Sequence, residues 1–333
     1  MSTFTTRRKH IKFLPGYPQG GHLDENARHE LLHLPPMPDT PDLTTLRIGM
    51  GWASRDISHH ALVINNRQID GVCATRSYRR ISAKGAVPAL VFFHGGGFFG
   101  GSLDNVDHAC RAIADAAEVM VISVDYALAP EHQWPAGLLD CYRAVCWVHQ
   151  HAEALNIDPE RIVVGGDSAG GNLALTSTLL DRMFETHYIN AQVLIYPTVL
   201  RPDPQDTLAD LGPFGIAADH MLISEYIRGF AALDAQVNRW YLSSPEWQRN
   251  LPLVSPLLSP DLSRLPATFI IVGEFDPLRL QCEALYQALI VAGVEVDYLQ
   301  YNGMVHAFMD KVGDFPQAAD LACEVSYFVA GCR

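Results

Sequence analysis

The chain has 333 residues, 48% of them hydrophobic and 18% charged, enough to bury a sizeable core as one large domain with an appendage or as two smaller ones. Its 24 basic and 37 acidic residues leave a formal charge of −13 with no basic stripe, which argues against a nucleic-acid or anionic-membrane partner and suits small neutral or cationic ones. Seven cysteines, irregularly spaced, give neither a disulfide framework nor paired zinc knuckles, so a reducing compartment is expected and a metal is not.

Taken in chain order, residues 1–50 hold Pro35, Pro36, Pro38 and Pro41 and a short helical pattern near Glu25–Leu34, with no run long enough for a core strand. They read as a peripheral segment. Arg7-Arg8-Lys9 resembles the start of an export signal, but Pro15, Gly16 and Pro18 interrupt the residues after it, and no stretch carries the roughly 20 apolar residues of a membrane span. A cytoplasmic protein is expected.

From residue 61 strands appear. Ala61–Ile64 and Val72–Tyr78 flank a turn at Asp70-Gly71 and predict an edge hairpin. Ala89–Phe93 is continuously apolar, as in a strand covered on both faces, and runs into His94-Gly95-Gly96-Gly97. Helix and strand then alternate: a helix over 105–118, a strand over 119–124, a helix over 138–154, a strand over 161–164, a helix after Ser168 and a strand over 191–196. That rhythm predicts a mostly parallel sheet with helices on both faces. Residues 198–250 interrupt it with prolines, a helical piece over 219–233 and the aromatics Phe214, Phe230, Trp240, Tyr241 and Trp247. Because pockets in open α/β sheets lie at the carboxyl ends of strands, where such insertions emerge, this stretch reads as a cap over the site. The alternation resumes with a strand over 267–272, a helix over 278–292, a strand over 294–301 and a closing helix over 315–330.

The chemistry is expected at Val163-Val164-Gly165-Gly166-Asp167-Ser168-Ala169-Gly170-Gly171. A serine on a sharp strand-to-helix turn needs nearly side-chain-free neighbours two residues away on each side, and Gly166 and Gly170 stand there. The helix beginning after the serine offers unpaired N–H groups, Ala169 first, to an oxyanion. A serine hydroxyl also needs a base, and the base a carboxylate. The loops after the strands ending at Val272 and Tyr301 supply Asp276 and His306, with Glu274 as the rival acid and helix capping as an alternative role for Asp276. Upstream, the bare glycines after His94 let main-chain N–H groups approach a substrate oxygen; Gly96 and Gly97, with Ala169, are the donors expected, and His94 orders their loop.

With these residues in hand, the chain resembles the hormone-sensitive-lipase-like branch of α/β-hydrolases, the bacterial family IV esterases. The matching motifs are His94-Gly95-Gly96-Gly97-Phe98, Asp125-Tyr126-Ala127-Leu128-Ala129-Pro130-Glu131, Gly166-Asp167-Ser168-Ala169-Gly170-Gly171, Glu274-Phe275-Asp276-Pro277-Leu278 and His306-Ala307-Phe308. They cover about residues 88–310. Within that branch, Glu274–Leu289 and His306-Ala307-Phe308 look most like the acetyl esterases of enterobacteria.

The resemblance implies an α/β-hydrolase fold with a helical cap and hydrolysis of short-chain acyl esters without a cofactor. Ser168, Asp276 and His306 would form the triad; Gly95, Gly96, Gly97 and Ala169 would line the oxyanion region, supported by His94, Asp167, Gly166 and Gly170. It divides the chain into a cap segment (1–50), a first part of the core (51–197), a cap insertion (198–250) and a second part of the core (251–333). Many members carry an acidic pair soon after Asp-Pro-Leu, where Arg279-Leu280-Gln281 stands here, and an arginine or threonine where Ala127 stands. An amidase or peptidase on the same triad and a ligand sensor on a disabled hydrolase site are the other readings. The presence of His306 argues against the sensor. The partner expected is a small ester, and the assembly a monomer or homodimer.

Overall fold

The structure, a computed structural model, describes residues 9–34, 42–201 and 211–332. The expected prolines at 35, 36, 38 and 41 lie outside the described residues. Nine strands form one sheet: β1 (Lys9–Lys12), β2 (Leu62–Gln68), β3 (Ala74–Arg80), β4 (Val87–Phe93), β5 (Met120–Asp125), β6 (Ile157–Asp167), β7 (Ala191–Ile195), β8 (Ala267–Gly273) and β9 (Val296–Tyr301). Their order is β1-β9-β8-β7-β6-β4-β5-β3-β2. Only the β2–β3 and β3–β5 pairings are antiparallel, so β3 alone runs against the rest of the sheet; the other pairings are parallel. β4 and β7 are buried along their whole length, as continuous apolar runs require when both faces are covered. β2 keeps only Leu62 and Ile64 partly covered, with the residue between them exposed, as an edge strand does.

The helices are α1 (Glu25–His33), α2 (Leu43–Ile48), α3 (Asp107–Ala116), α4 (Ala136–Gln150), α5 (Ala152–Leu155), α6 (Ala169–Met183), α7 (His220–Tyr241), α8 (Pro245–Gln248), α9 (Arg279–Val291) and α10 (Pro316–Gly331). α3 packs on α10 and α4 on α6. α6 is buried from Ala169 through Asp181, so the helix that starts after Ser168 is locked into the middle of the molecule.

Two features depart from the sequence expectations. Lys9–Lys12 adds a parallel strand, β1, beside β9, and a four-residue Lys-His-Ile-Lys edge strand carries no apolar run to announce it. α7 continues eight residues beyond the expected Leu233, to Tyr241, because Val237 and Tyr241 stay on the buried face begun by Ile223 and Ile227.

α1 lies against α7, tied by Arg28 to Asp219 at 3.0 Å. Arg201, after β7, is buried and reaches into α7: its Nη1 meets Asp234 Oδ1 at 2.6 Å and its Nε donates to Asn238 Oδ1 at 2.8 Å. The helical insertion is thereby clamped to the strand end nearest Ser168. Among the described residues no helix is long and apolar enough to cross a membrane.

Candidate active site

β6 delivers Ser168 at the carboxyl end of the sheet's centre, with φ +55° and ψ −115°. A non-glycine residue rarely adopts such a backbone, at a cost of about 1–3 kcal/mol, and the packing around it must impose it. The sterics show how. A Cβ on Gly170 would fall 1.9 Å from the Phe93 carbonyl oxygen, and one on Gly166 2.4 Å from the same atom. Both glycines therefore let the elbow press against the end of β4.

The loops after β8 and β9 bring the other two groups to the same rim. His306 Nε2 lies 2.9 Å from Ser168 Oγ, and His306 Nδ1 lies 2.8 Å from Asp276 Oδ2. Asp276 is fully buried, and its other oxygen accepts the Leu278 N–H at 2.8 Å. One oxygen thus closes a local turn and the other faces His306; Asp276 does not cap α9, whose N-cap is Leu278 with no side-chain cap bond. The rival, Glu274, is committed elsewhere: its two oxygens accept the N–H groups of Gly21 at 2.7 Å and Gly303 at 2.8 Å, stitching the N-terminal segment to the β9 loop.

The imidazole is held by more than its hydrogen bonds. Tyr196 packs at 4.8 Å between ring centroids and Phe230 of α7 meets it edge-on at 5.0 Å. The His306 backbone N–H donates to the Tyr226 hydroxyl at 3.0 Å. Tyr226 is missed by sequence reasoning because it sits in the helical insertion rather than on a strand-end loop; the spacing Tyr226, Phe230, Leu233 on one helix face is the available signal.

The glycine loop after β4 is braced from below. His94 is fully buried, stacks on Tyr126 at 4.4 Å and turns Nδ1 to the Gly95 carbonyl oxygen at 2.8 Å, while Tyr126 donates its hydroxyl to the His94 oxygen at 2.7 Å. Burial pulls the His94 imidazole below its ordinary pKa, so it is neutral. Glu131, in the same motif as Tyr126, meets Arg47 at 2.6 Å.

Of the residues that the resemblance placed in the oxyanion region, Gly95 differs from the others. The Gly95 N–H donates to Asp167 Oδ1 at 2.8 Å and so is unavailable to a substrate oxygen. The main-chain donors left facing the cavity beside Ser168 are those of Gly96, Gly97 and Ala169, which engage no acceptor among the described residues.

Ser168, His306 and the glycine loop meet at one cavity of about 230 Å³, with Asp276 buried behind His306. Met50 and Gly51 close it from the N-terminal side, and Phe230, Leu233 and Val237 of α7 from the other. Of the five aromatics expected in the cap, Phe230 alone lines it. Tyr241 instead stacks on Phe98 at 3.8 Å, Trp240 meets Phe99 edge-on, Phe214 lies under the Arg279 guanidinium and Trp247 is exposed. Arg279 and Gln281, the departures after Asp-Pro-Leu, face outward from Asp276: Arg279 donates to the Pro213 oxygen and Gln281 accepts from the N–H groups of Val199 and Leu200. Among the described residues no three His, Cys, Asp or Glu side chains gather as a metal site.

Three further carboxylates border the cavity: Asp234, which is paired with Arg201, and Asp167 and Asp310. Burial, and next the charge of Asp310, hold the Asp167 carboxyl well above the usual carboxylate range. Burial pushes Asp310 up to about 6, against the opposing pull of Lys311 and His306.

Comparison with known proteins gives a consistent answer. The family profile described as alpha/beta hydrolase fold matches residues 90–310. Carboxylic ester hydrolase LipN of Mycobacterium tuberculosis is 37% identical over 241 residues, which is 72% of this chain but 62% of LipN, so the chain spans less than two thirds of that relative. Carboxylesterase NlhH of the same organism is 37% identical over 239 residues, 70% of each chain. A hyperthermophilic esterase of the archaeon Pyrobaculum calidifontis superposes with a TM-score of 0.79 at 32% identity, over 93% of this chain and 98% of that one. The chain belongs to the α/β-hydrolase-fold family, in its hormone-sensitive-lipase-like branch of carboxylic ester hydrolases.

Proposed function

We propose that the chain hydrolyses short-chain acyl esters through a Ser168 acyl-enzyme. The observation that carries this reading is the unbroken relay Ser168 Oγ, His306 Nε2, His306 Nδ1, Asp276 Oδ2, with contacts of 2.9 and 2.8 Å. Ser168 Oγ attacks the ester carbonyl carbon and its proton passes to His306 Nε2. Asp276 holds the Nδ1–H tautomer and stabilises the imidazolium. The carbonyl oxygen, now negative, accepts from the N–H groups of Gly96, Gly97 and Ala169. His306 then gives its proton to the leaving alcohol oxygen, and water repeats the sequence to release the carboxylic acid.

A cavity of about 230 Å³ supports small acyl groups. In this reading residues 1–50 and 198–250 act as the cap, with Met50 and α7 closing the cavity over a core formed by the remaining two segments. Seven cysteines, all unpaired, support a reducing, cytoplasmic setting. The test is a p-nitrophenyl ester series on wild type and Ser168→Ala. Acetate or butyrate esters are expected to turn over fastest, and only in wild type; a preference for long chains contradicts the substrate class, and equal turnover by the variant contradicts the mechanism.

A further inference from the structure

Apart from the main-chain N–H groups of Gly96, Gly97 and Ala169, the catalytic cavity has buried acceptors beside it that no donor meets. Asp310 lines the cavity, and its enclosed Oδ1 has no partner among the described residues. His94 is fully buried on the same wall; with Nδ1–H given to Gly95, its Nε2 is left as a lone-pair acceptor without a donor. Asp167 has one oxygen filled by Gly95. An unmet buried acceptor is costly, and the cost is relieved when a ligand brings a donor or a positive charge.

The nearest cation does not meet this need. Lys311, the residue after Asp310, turns its Nζ to Glu30 Oε2 at 2.5 Å and lies over the Trp52 ring at 5.4 Å. The charged groups around Asp310 are thus Lys311 and Glu30, already paired with each other, together with Asp167 and His306. Asp310 sits four residues after His306, on the one-turn 3₁₀ helix Phe308–Lys311. His306 Nε2 must reach the departing oxygen, so the alcohol half of an ester leaves past this loop. Ala307 and Asp310 also border an adjoining opening lined by Glu30 and Trp52.

The geometry points to Asp310 as a specificity-determining residue that binds an ammonium group on the alcohol half of the ester. The preferred substrates are acyl esters of amino alcohols, and esters of hydroxy acids are disfavoured. The inference rests on the esterase reading above. The formal charge of −13 acts in the same direction at long range, and salt separates the two effects: the field is screened, whereas a contact inside the cavity is screened much less.

Three acetates of nearly equal shape test it near neutral pH: 2-(dimethylamino)ethyl acetate, protonated and cationic; 3-methylbutyl acetate, neutral; and 3-acetoxypropanoate, anionic. Wild type is expected to show a cationic-to-neutral ratio of kcat/KM of about ten or more in moderate salt, the scale of one charge-assisted hydrogen bond, with the anionic ester slowest. Asp310→Asn is expected to bring that ratio close to one. A wild-type ratio near one, or a ratio unchanged in Asp310→Asn, overturns the inference while leaving the esterase reading intact. Failure of wild type to hydrolyse even the neutral ester overturns both. Should the variant not fold, inhibition of neutral-ester hydrolysis in wild type decides: 2-(dimethylamino)ethanol is expected to inhibit about tenfold more strongly than 3-methylbutanol, and equal inhibition rejects the subsite.

Discussion

Asp276→Asn probes the relay with the least disturbance of the fold, because the substitution is isosteric and the environment dictates how the amide must sit. Leu278 N–H donates to Asp276 Oδ1 at 2.8 Å, and the helix α9 begins there, so that oxygen position is fixed as an acceptor. The asparagine carbonyl oxygen takes this place. Its NH₂ group then occupies the position of Oδ2, 2.8 Å from His306 Nδ1, and can only donate. The imidazole answers by turning Nδ1 into the acceptor and moving its proton to Nε2, which faces Ser168 Oγ at 2.9 Å and can no longer take the hydroxyl proton. A base in the wrong tautomer costs about 10⁴ in kcat, the order seen for this exchange in a serine protease triad.

No cavity forms and no buried charge is stranded, so the fold should be kept. The assay is kcat on p-nitrophenyl acetate alongside thermal unfolding: a fall of about four decades with a melting temperature within a few degrees of wild type is expected. Turnover within tenfold of wild type would refute the argument that Asp276 sets the tautomer.

The elbow, the clamp and the cavity carboxylates give three more tests. Gly170→Ala places a Cβ 1.9 Å from the Phe93 oxygen, so it should destabilise by about 3 kcal/mol in urea unfolding and abolish activity; a fully stable, active variant contradicts the packing argument. Arg201→Met strands Asp234, which is 8% exposed, and should lower the unfolding free energy by about 3–5 kcal/mol; a loss under about 1 kcal/mol shows that the pair does not hold α7. Asp310 is held up to about 6 by burial, so the folded state keeps a proton that the unfolded chain releases lower, and stability is lost as pH rises toward and through that value. Asp310→Asn should therefore be more stable than wild type by about 3 kcal/mol near pH 7, with the difference fading toward pH 4; a difference independent of pH refutes the ionisation cost.

The most legible parts of the molecule are those under the strictest steric demand. Gly166 and Gly170 leave no room for a side chain, and a glycine on each side of a serine between an apolar strand and a helix is visible in one dimension. Continuous apolar runs such as β4 and β7 are legible for the same reason, since a strand covered on both faces tolerates little else. Asp276 and His306 are accessible because the parallel alternation puts every strand-end loop on one rim.

The features hidden from the sequence depend on partners far away along the chain. The Gly95 N–H is taken by Asp167, 72 residues away, a partner that the run of three glycines does not name. Arg201 and Asp234 look like two surface charges until α7 meets the segment after β7 and both are buried. Asp310-Lys311 reads as an exposed pair of opposite charges, yet Lys311 turns away to Glu30. β1 is held by hydrogen bonds to β9, which its own side chains do not encode.

The central claim is that acyl transfer passes through Ser168, and covalent trapping tests it most directly. Wild-type protein is mixed with p-nitrophenyl acetate, quenched in acid within the first turnovers and mapped by peptide mass spectrometry. A single acetyl group on Ser168, missing in Ser168→Ala and greatly reduced in His306→Ala, is the predicted result. Acetyl transfer to another residue at the rate of turnover, or full turnover by Ser168→Ala, would contradict it.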